Sequence, residues 1–318
     1  SSVMSNGLII LIFLAFLLIY FIWGYTYITI RFAIETIPPS LMAGMRFTIS
    51  GLLLYVWCSR SDRISPRSIE IRKSILVGLL LIVGGNGILV WSEQYIPSGL
   101  AALILAIIPI WMVLLEWIFV TKERPSLATI SGIFMGVLGV ALLSGVDRSV
   151  LLDNAREGST VFFYAAMLML AGLSWASGSL YSRTIRSSAS LLKLVSIQML
   201  AGGLFLLVLG TLIGEWQEFW LPKISLRSIL SLSYLIIFGS VLTYSAYNWL
   251  LRQTSPARVG TYAFFNPLVA VCLGWLLADE PITARLLLGA ACILTAVVIV
   301  NQSSFFRMIP NRIKNRMK

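Results

Sequence analysis

The sequence contains no histidine and only three cysteines. Without an imidazole there is no histidine base for a Ser–His protease and no histidine-ligated metal site. Cys58, Cys272 and Cys292 sit in three separate apolar segments with no CxxC spacing, so they are expected to be buried packing residues rather than a disulfide or metal ligands. The phosphate-binding pattern GxxxxGK[ST] is missing, so the chain is not itself an ATPase. Charge is scarce too: 12% of 318 residues, where roughly 25% is usual for soluble domains. Asp62, Asp147, Asp153 and Asp279 all fall between apolar runs, which removes the pair of mid-membrane aspartates an intramembrane aspartyl protease needs. An enzyme is not expected, and neither a metal nor a cofactor.

What fills the sequence instead is hydrophobic residues, 58% of the chain. They come in runs of about 18–25, long enough to cross a hydrocarbon core of about 30 Å as helices, and the alternating pattern of a β-barrel is absent. Ten runs are expected to span, at about 8–31, 40–58, 74–96, 98–120, 126–146, 159–182, 189–213, 228–251, 257–278 and 282–301. The first is too long for a signal-peptide core and lacks a basic leader, so it is expected to be retained. Turn chemistry separates several of them, as in IPPS (37–40), TSPA (254–257) and DEPI (279–282). The fold class is therefore an all-α polytopic membrane protein.

The net charge of +11 has a topological reading. Most of the 24 lysines and arginines lie in the loops after even-numbered spans and in the basic tail 302–318. Positive residues near spans stay cytoplasmic, which puts both termini on that side. Scattered over loops beside lipid headgroups, these charges do not call for nucleic acid as a partner.

The chain also repeats itself. A shift of 152 residues lays Trp23 on Trp175, Arg31 on Arg183 and Gly51 on Gly203; a shift of 158 lays Trp91 on Trp249, Pro109 on Pro267, Val113 on Val271, Leu115 on Leu273 and Trp117 on Trp275. The units are 8–146 and 159–301. Each holds five spans, an odd number, so the second copy must be inverted relative to the first. Inverted repeats around a midplane site are a recurrent design of secondary transporters, and prolines at corresponding positions of the two halves point to that site. Pro109 and Pro267 remove a backbone donor and free the carbonyls of Leu105 and Ala263.

The segments WGYTYITIRFA (23–33), PSGLAALILAIIPIWMVLLEWIFVTKERPS (97–126) and its echo SPARVGTYAFFNPLVAVCLGWLLADEPIT (255–283) resemble the drug/metabolite transporter superfamily, EamA branch, and the similarity spans almost the whole chain. The resemblance implies ten helices, two EamA repeats, cytoplasmic termini and export of small metabolites or drugs across a bacterial inner membrane. It also implies a central cavity built mainly by helices 1, 3, 4, 6, 8 and 9.

On those helices the candidate substrate-binding residues are Trp23 and Tyr27, Asn86, Trp175 and Ser177, Tyr244, Tyr247 and Asn248, and Tyr262 and Asn266. Tyr20, Arg31, Ser174 and Tyr181 lie on the same helices. Aromatic walls with a few amides suit a hydrophobic or cationic solute. Polar groups at membrane depth also serve as plain interhelical bonds, and for any one residue that reading is as good. Arg46 and Glu93 fall at similar depth and read either as a structural ion pair or as a proton-coupling carboxylate beside a base; Glu116 reads as a structural partner of a cytoplasmic base. Gly132 and Gly136 in GIFMGVLG (132–139) mark a close helix contact, within one chain or between two, so the protein is expected as a monomer or homodimer. The solute, the lipid bilayer and a proton are the expected partners. A facilitative channel or uniporter with an aromatic pore is the alternative to an alternating-access carrier.

Overall fold

A computed structural model describes residues 6–96, 98–144, 157–278 and 284–308. They form ten long helices: α1 (6–33), α2 (Pro39–Ser61), α3 (Ser68–Ser92), α4 (98–121), α5 (Leu127–Ser144), α6 (Glu157–Ser182), α7 (Leu191–Leu212), α8 (Leu226–Gln253), α9 (256–278) and α10 (Ala284–Met308). Seven are long and apolar enough to cross a membrane. The bundle turns large apolar side chains outward, among them Leu52, Trp57, Phe119, Leu204, Val208 and Leu230. In water that surface would be a liability; against lipid it is the expected solution. Two ends differ from the sequence expectation. Helix α3 begins at Ser68 rather than near 74, because Glu70 accepts the Arg67 N–H at 2.8 Å and closes the first turn earlier. Helix α10 continues to Met308. The basic tail beyond it, and the loops around Asn154 and Asp279, lie outside the described residues.

Loop-to-loop bonds show how the helices alternate. Asp62, after α2, accepts the backbone N–H of Ser190, before α7, at 2.7 Å. At that same end Arg183 pairs with Glu116 at 3.6 Å, as expected of Glu116, and Arg252 reaches the Ile185 carbonyl. At the other end Glu35 pairs with Arg227, and Glu215 accepts the N–H groups of Ser40 and Leu41 at 3.2 and 2.9 Å. Each of these bonds joins helix ends or loops of the same parity, as an up-and-down chain requires.

The repeat appears in the packing. Helix α2 lies along α7 and α5 along α10, each helix against its own counterpart, while α1 meets α8 and α9 and α6 meets α3 and α4. Glycine permits the closest of these contacts. A Cβ on Gly203 would stand 2.5 Å from the Thr48 nitrogen, and one on Gly51 would stand 2.9 Å from the Leu200 nitrogen. In α5, a Cβ on Gly139 would meet the Gly289 carbonyl at 2.8 Å and one on Gly132 would meet Val300 at 2.7 Å. The GxxxG face is therefore used inside the chain, against α10, with Gly136 against Phe264 of α9.

Four helices contain widened π-helical turns: Leu18–Ile22, Leu79–Gly87, Glu116–Thr121 and Leu235–Leu242. Those of α3 and α8 fall at corresponding places of the two repeats. The prolines do not behave alike. Helix α4 is interrupted at Ala106 and Ile107, directly before Pro109. Helix α9 runs unbroken through Pro267 and is interrupted earlier, at Thr261. There the Thr261 hydroxyl bonds the Arg258 carbonyl at 2.6 Å and meets the Tyr20 hydroxyl at 2.5 Å, which satisfies polar groups of the buried turn. The cysteines are a partial correction: Cys58 is buried, but Cys272 is exposed on α9 and Cys292 half-buried on α10, since an apolar segment facing lipid has no need to bury its thiol.

Candidate functional site

A cavity lies where the two repeats meet, and helices from both build it. From α1 come Trp23, Thr26 and Tyr27; from α3, Gly85, Asn86 and Leu89; from α4, Leu105 and Ile108; from α6, Ala171 and Trp175. Helix α8 adds Gly239 and Tyr244, and α9 adds Tyr262 and Asn266. About 50 Å³ is open to the centre of a water molecule, room for only a few waters. The side chains of the site pack largely on one another.

The repeat explains which residues arrive there. Trp23 and Trp175, related by the 152-residue shift, meet edge to face with centroids 5.5 Å apart. Asn86 and Tyr244 are counterparts by the shift of 158, and so are Ile108 and Asn266, the residues just before the two prolines. Pseudo-symmetry thus brings equivalent positions together and lets their side chains differ.

Trp23, Trp175, Tyr244 and Tyr247 are held by hydrogen bonds. The Trp23 indole N–H donates to the Gly239 carbonyl at 2.9 Å, in the π-helical turn of α8. The Trp175 N–H donates to the Tyr247 hydroxyl at 2.8 Å, and the Tyr247 and Ser179 hydroxyls bond at 2.6 Å, with Ser179 donating on to the Trp175 carbonyl. The Tyr244 hydroxyl donates to Gln198 of α7 at 2.9 Å. The Tyr27 hydroxyl is turned to the Asn266 amide. Both polar atoms of that amide are buried and meet no protein partner at hydrogen-bond geometry.

Of the ten residues expected to bind substrate, Trp23, Tyr27, Asn86, Trp175, Tyr244, Tyr262 and Asn266 share this cavity, and three do not. Tyr247 stands behind the wall, its ring 5.0 Å from Trp23 and 5.8 Å from Tyr262. Asn248 is buried beside it, its amide donating to the Tyr244 carbonyl at 3.0 Å. Ser177 spends its hydroxyl on the Leu173 carbonyl at 2.8 Å; two residues from Trp175, it lies on a different face of α6. Helix α2 was missing from the expected set, yet it supplies Arg46 and Phe47.

Arg46 and Glu93 do not form the expected pair. The Arg46 Nε donates to Ser240 at 2.7 Å and its Nη1 to Asn86 Oδ1 at 3.4 Å. Both partners lie in the π-helical turns of α8 and α3. The Glu93 carboxylate is wholly buried and neither oxygen meets a donor, while Arg31 donates to the Glu93 backbone carbonyl. Similar depth brought the two residues to one layer; the neighbours each one found there were others. Sequence spacing gives a residue's depth and face, but the partner across the interface comes only with the packing.

Two segments of the chain, 9–145 and 162–302, match the model of the EamA-like transporter family. Over 295 residues the chain is 33% identical to the "Uncharacterized inner membrane transporter YedA" of Escherichia coli (strain K12), covering 92% of each chain. It is 26% identical to the "Probable amino-acid metabolite efflux pump" of the same organism, covering 89% of this chain and 92% of that one. A solved structure superposes with a TM-score of 0.73 at 16% identity, covering 93% of this chain and 98% of the other; at that identity the likeness is one of fold.

Proposed function

The chain belongs to the EamA-like transporter family, and on that premise we propose that it is an alternating-access carrier exporting small amino-acid-like or aromatic metabolites across the inner membrane of a bacterium. The observation that carries this reading is the aromatic-lined cavity at the meeting of the two repeats. In an inverted-repeat carrier the substrate sits at such an interface while one half rocks against the other. The names of the two Escherichia coli relatives, an inner membrane transporter and an amino-acid metabolite efflux pump, agree with the location and the solute class. Both termini are assigned to the cytoplasm on the distribution of basic residues, and coupling to a proton would fall to the buried Glu93.

A facilitative channel is the competing reading, and the contacts across the cavity favour the carrier. Trp23 touches Trp175, Tyr247 and Tyr262 with centroids 5.0–5.5 Å apart, so a solute cannot pass without parting helices of both repeats. The test is transport by purified protein in liposomes, with amino acids, amines and lipophilic cations first screened for a rise in Tm. A carrier gives saturable uptake of labelled solute that the same unlabelled solute on the opposite side accelerates. Uptake linear in concentration and indifferent to the opposite side identifies a channel.

A further inference from the structure

Among the described residues, the wall of the cavity contains one formal charge, and it is positive. Arg46 is 1% exposed and lines the cavity from α2. A buried guanidinium carries five N–H donors, and desolvating it is costly unless they are used and the charge is met. Here Nε and Nη1 bond two neutral groups, Ser240 and Asn86. Nη2, which a Cβ on Gly239 would meet at 3.1 Å, makes no hydrogen bond, and no carboxylate lies within ion-pair distance of Arg46 among the described residues. At the equivalent position of the second repeat, Gln198 takes the place of the arginine and bonds Tyr244. The charge therefore belongs to one half only and is not a requirement of the fold. A second polar group of the wall, the Asn266 amide, is also 1% exposed, with the Tyr27 hydroxyl turned toward it but at no hydrogen-bond geometry.

We infer that Arg46 is the receptor for a carboxylate of the transported solute, whose flat apolar body lies against Trp23, Trp175 and Tyr262 once the two repeats part to admit it. This rests on the carrier reading and narrows its solute class. Guanidinium and carboxylate match as a planar fork with two parallel bonds. One positive charge, stacked on the Phe47 ring at 4.6 Å and without a carboxylate in ion-pair contact, calls for one negative charge, so a dianionic phosphate would bring one too many into the same low-dielectric space. The aromatic cage alone would also suit a cation. Among the described residues the cavity wall offers no Asp or Glu to balance one, and Arg46 in the same wall repels it. The Asn266 amide is left to bond a polar substituent, so an α-ammonium is tolerated and not required.

Four probes with one ring decide the matter: 3-phenylpropionate, phenylalanine, phenylalaninamide and phenethylamine. Each is tested on the wild-type protein for its rise in Tm and for acceleration of labelled phenylalanine uptake from the opposite side of the liposome. Both acids are expected to bind at least about tenfold tighter than the amide or the amine, the loss expected when charge-assisted bonds are removed. Arg46→Gln should bring the acids down to the level of the amide without changing the amide, and Arg46→Lys should restore part of the difference. Equal binding of the amide or amine by the wild type overturns the inference while leaving a carrier in place, and so does an Arg46→Gln protein that keeps the preference for acids. If Arg46→Gln fails to fold, the wild-type series still decides. Silence from all four probes also sinks it, and the carrier reading then stands or falls on the wider screen.

Discussion

Glu93 is wholly buried, its carboxylate oxygens have no donor, and the cation beside it, Arg31, spends its bond on the backbone carbonyl. Removing one member of a buried ion pair strands the other and is strongly destabilising. Among the described residues Glu93 makes no such pair, so Glu93→Gln, an isosteric and neutral change, should leave Tm unchanged or raise it. A large fall in Tm would show that the carboxylate does answer a buried arginine. The same variant reports on coupling. If Glu93 carries a proton against the solute, the amide keeps solute exchange between the two sides of a liposome and loses uptake driven by a pH gradient. Arg46 teaches the complementary lesson. Its residue type and depth were legible in the sequence, yet its role was not, because the serine and asparagine that hold it come from α8 and α3, 194 and 40 residues away.

At the scale of the helix, proline and the π-helical turn shape the cavity. Leu105 and Ile108 of the wall flank the interruption of α4, which exists because Pro109 offers no N–H to the Leu105 carbonyl. Pro109→Ala restores that donor and lets α4 close into one helix, moving both wall residues. It should slow transport with Tm unchanged or higher. Helix α9 is already continuous through Pro267, so Pro267→Ala should alter transport less. Equal effects of the two variants on transport rate would mean that the prolines act as a symmetric pair, as their spacing in the sequence suggests. The π-helical turns explain a different miss. No residue pattern announced them beyond the glycines around Asn86 and Gly239, and each rotates the helix that follows it. Tyr244, Tyr247 and Asn248 share a face by three- and four-residue steps, but only Tyr244 stands at the depth of the cavity. For Ser177 the helical period alone already separates it from Trp175.

For the whole molecule, the ten-helix plan was readable because lipid demands it: each span needs about 20 apolar residues, and the repeat was written in tryptophans, glycines and prolines at constant shifts. The bonds that clasp the ends of the packed helices were not readable, since each is a single contact between distant parts of the chain. Asp62 shows the kind. Backbone N–H groups of Ser190 and Ile64, at 2.7 and 2.9 Å, hold its carboxyl below the usual carboxylate range, with Lys193 nearby contributing. A folded-state value below the unfolded one means that this stabilisation is present above the unfolded pKa and is lost as pH falls through the folded one. The wild type should therefore lose Tm on acidification below the normal aspartate range. Asp62→Asn should start lower at neutral pH and show a shallower acid loss. Parallel acid limbs for the two proteins would remove Asp62 as a clasp between the repeats.

The clasp has a counterpart at the far end of the same helix pair, and together they set the topology. Asp62 follows α2 and binds the start of α7; Glu215 follows α7 and binds the start of α2 through the Ser40 and Leu41 N–H groups. Two helices lying side by side can exchange such clasps only if the end of each lies beside the beginning of the other, so α2 and α7 run antiparallel. Being counterparts in the two repeats, they make the repeats inverted. Each helix is about 30 Å long at 1.5 Å per residue, which puts Asp62 and Glu215 on opposite faces of a membrane. Single cysteines at Ser65, in the loop with Asp62, and at Glu218, in the loop with Glu215, both fall at exposed positions. In a background where Cys58, Cys272 and Cys292 are replaced, an impermeant thiol reagent applied to intact cells should label the cysteine at 218 and spare the one at 65, with the pattern reversed in inverted vesicles. Labelling of both from one side would contradict the inverted repeat; labelling of 65 alone from outside the cell would keep the repeat and turn the whole protein over, placing the basic loops outside.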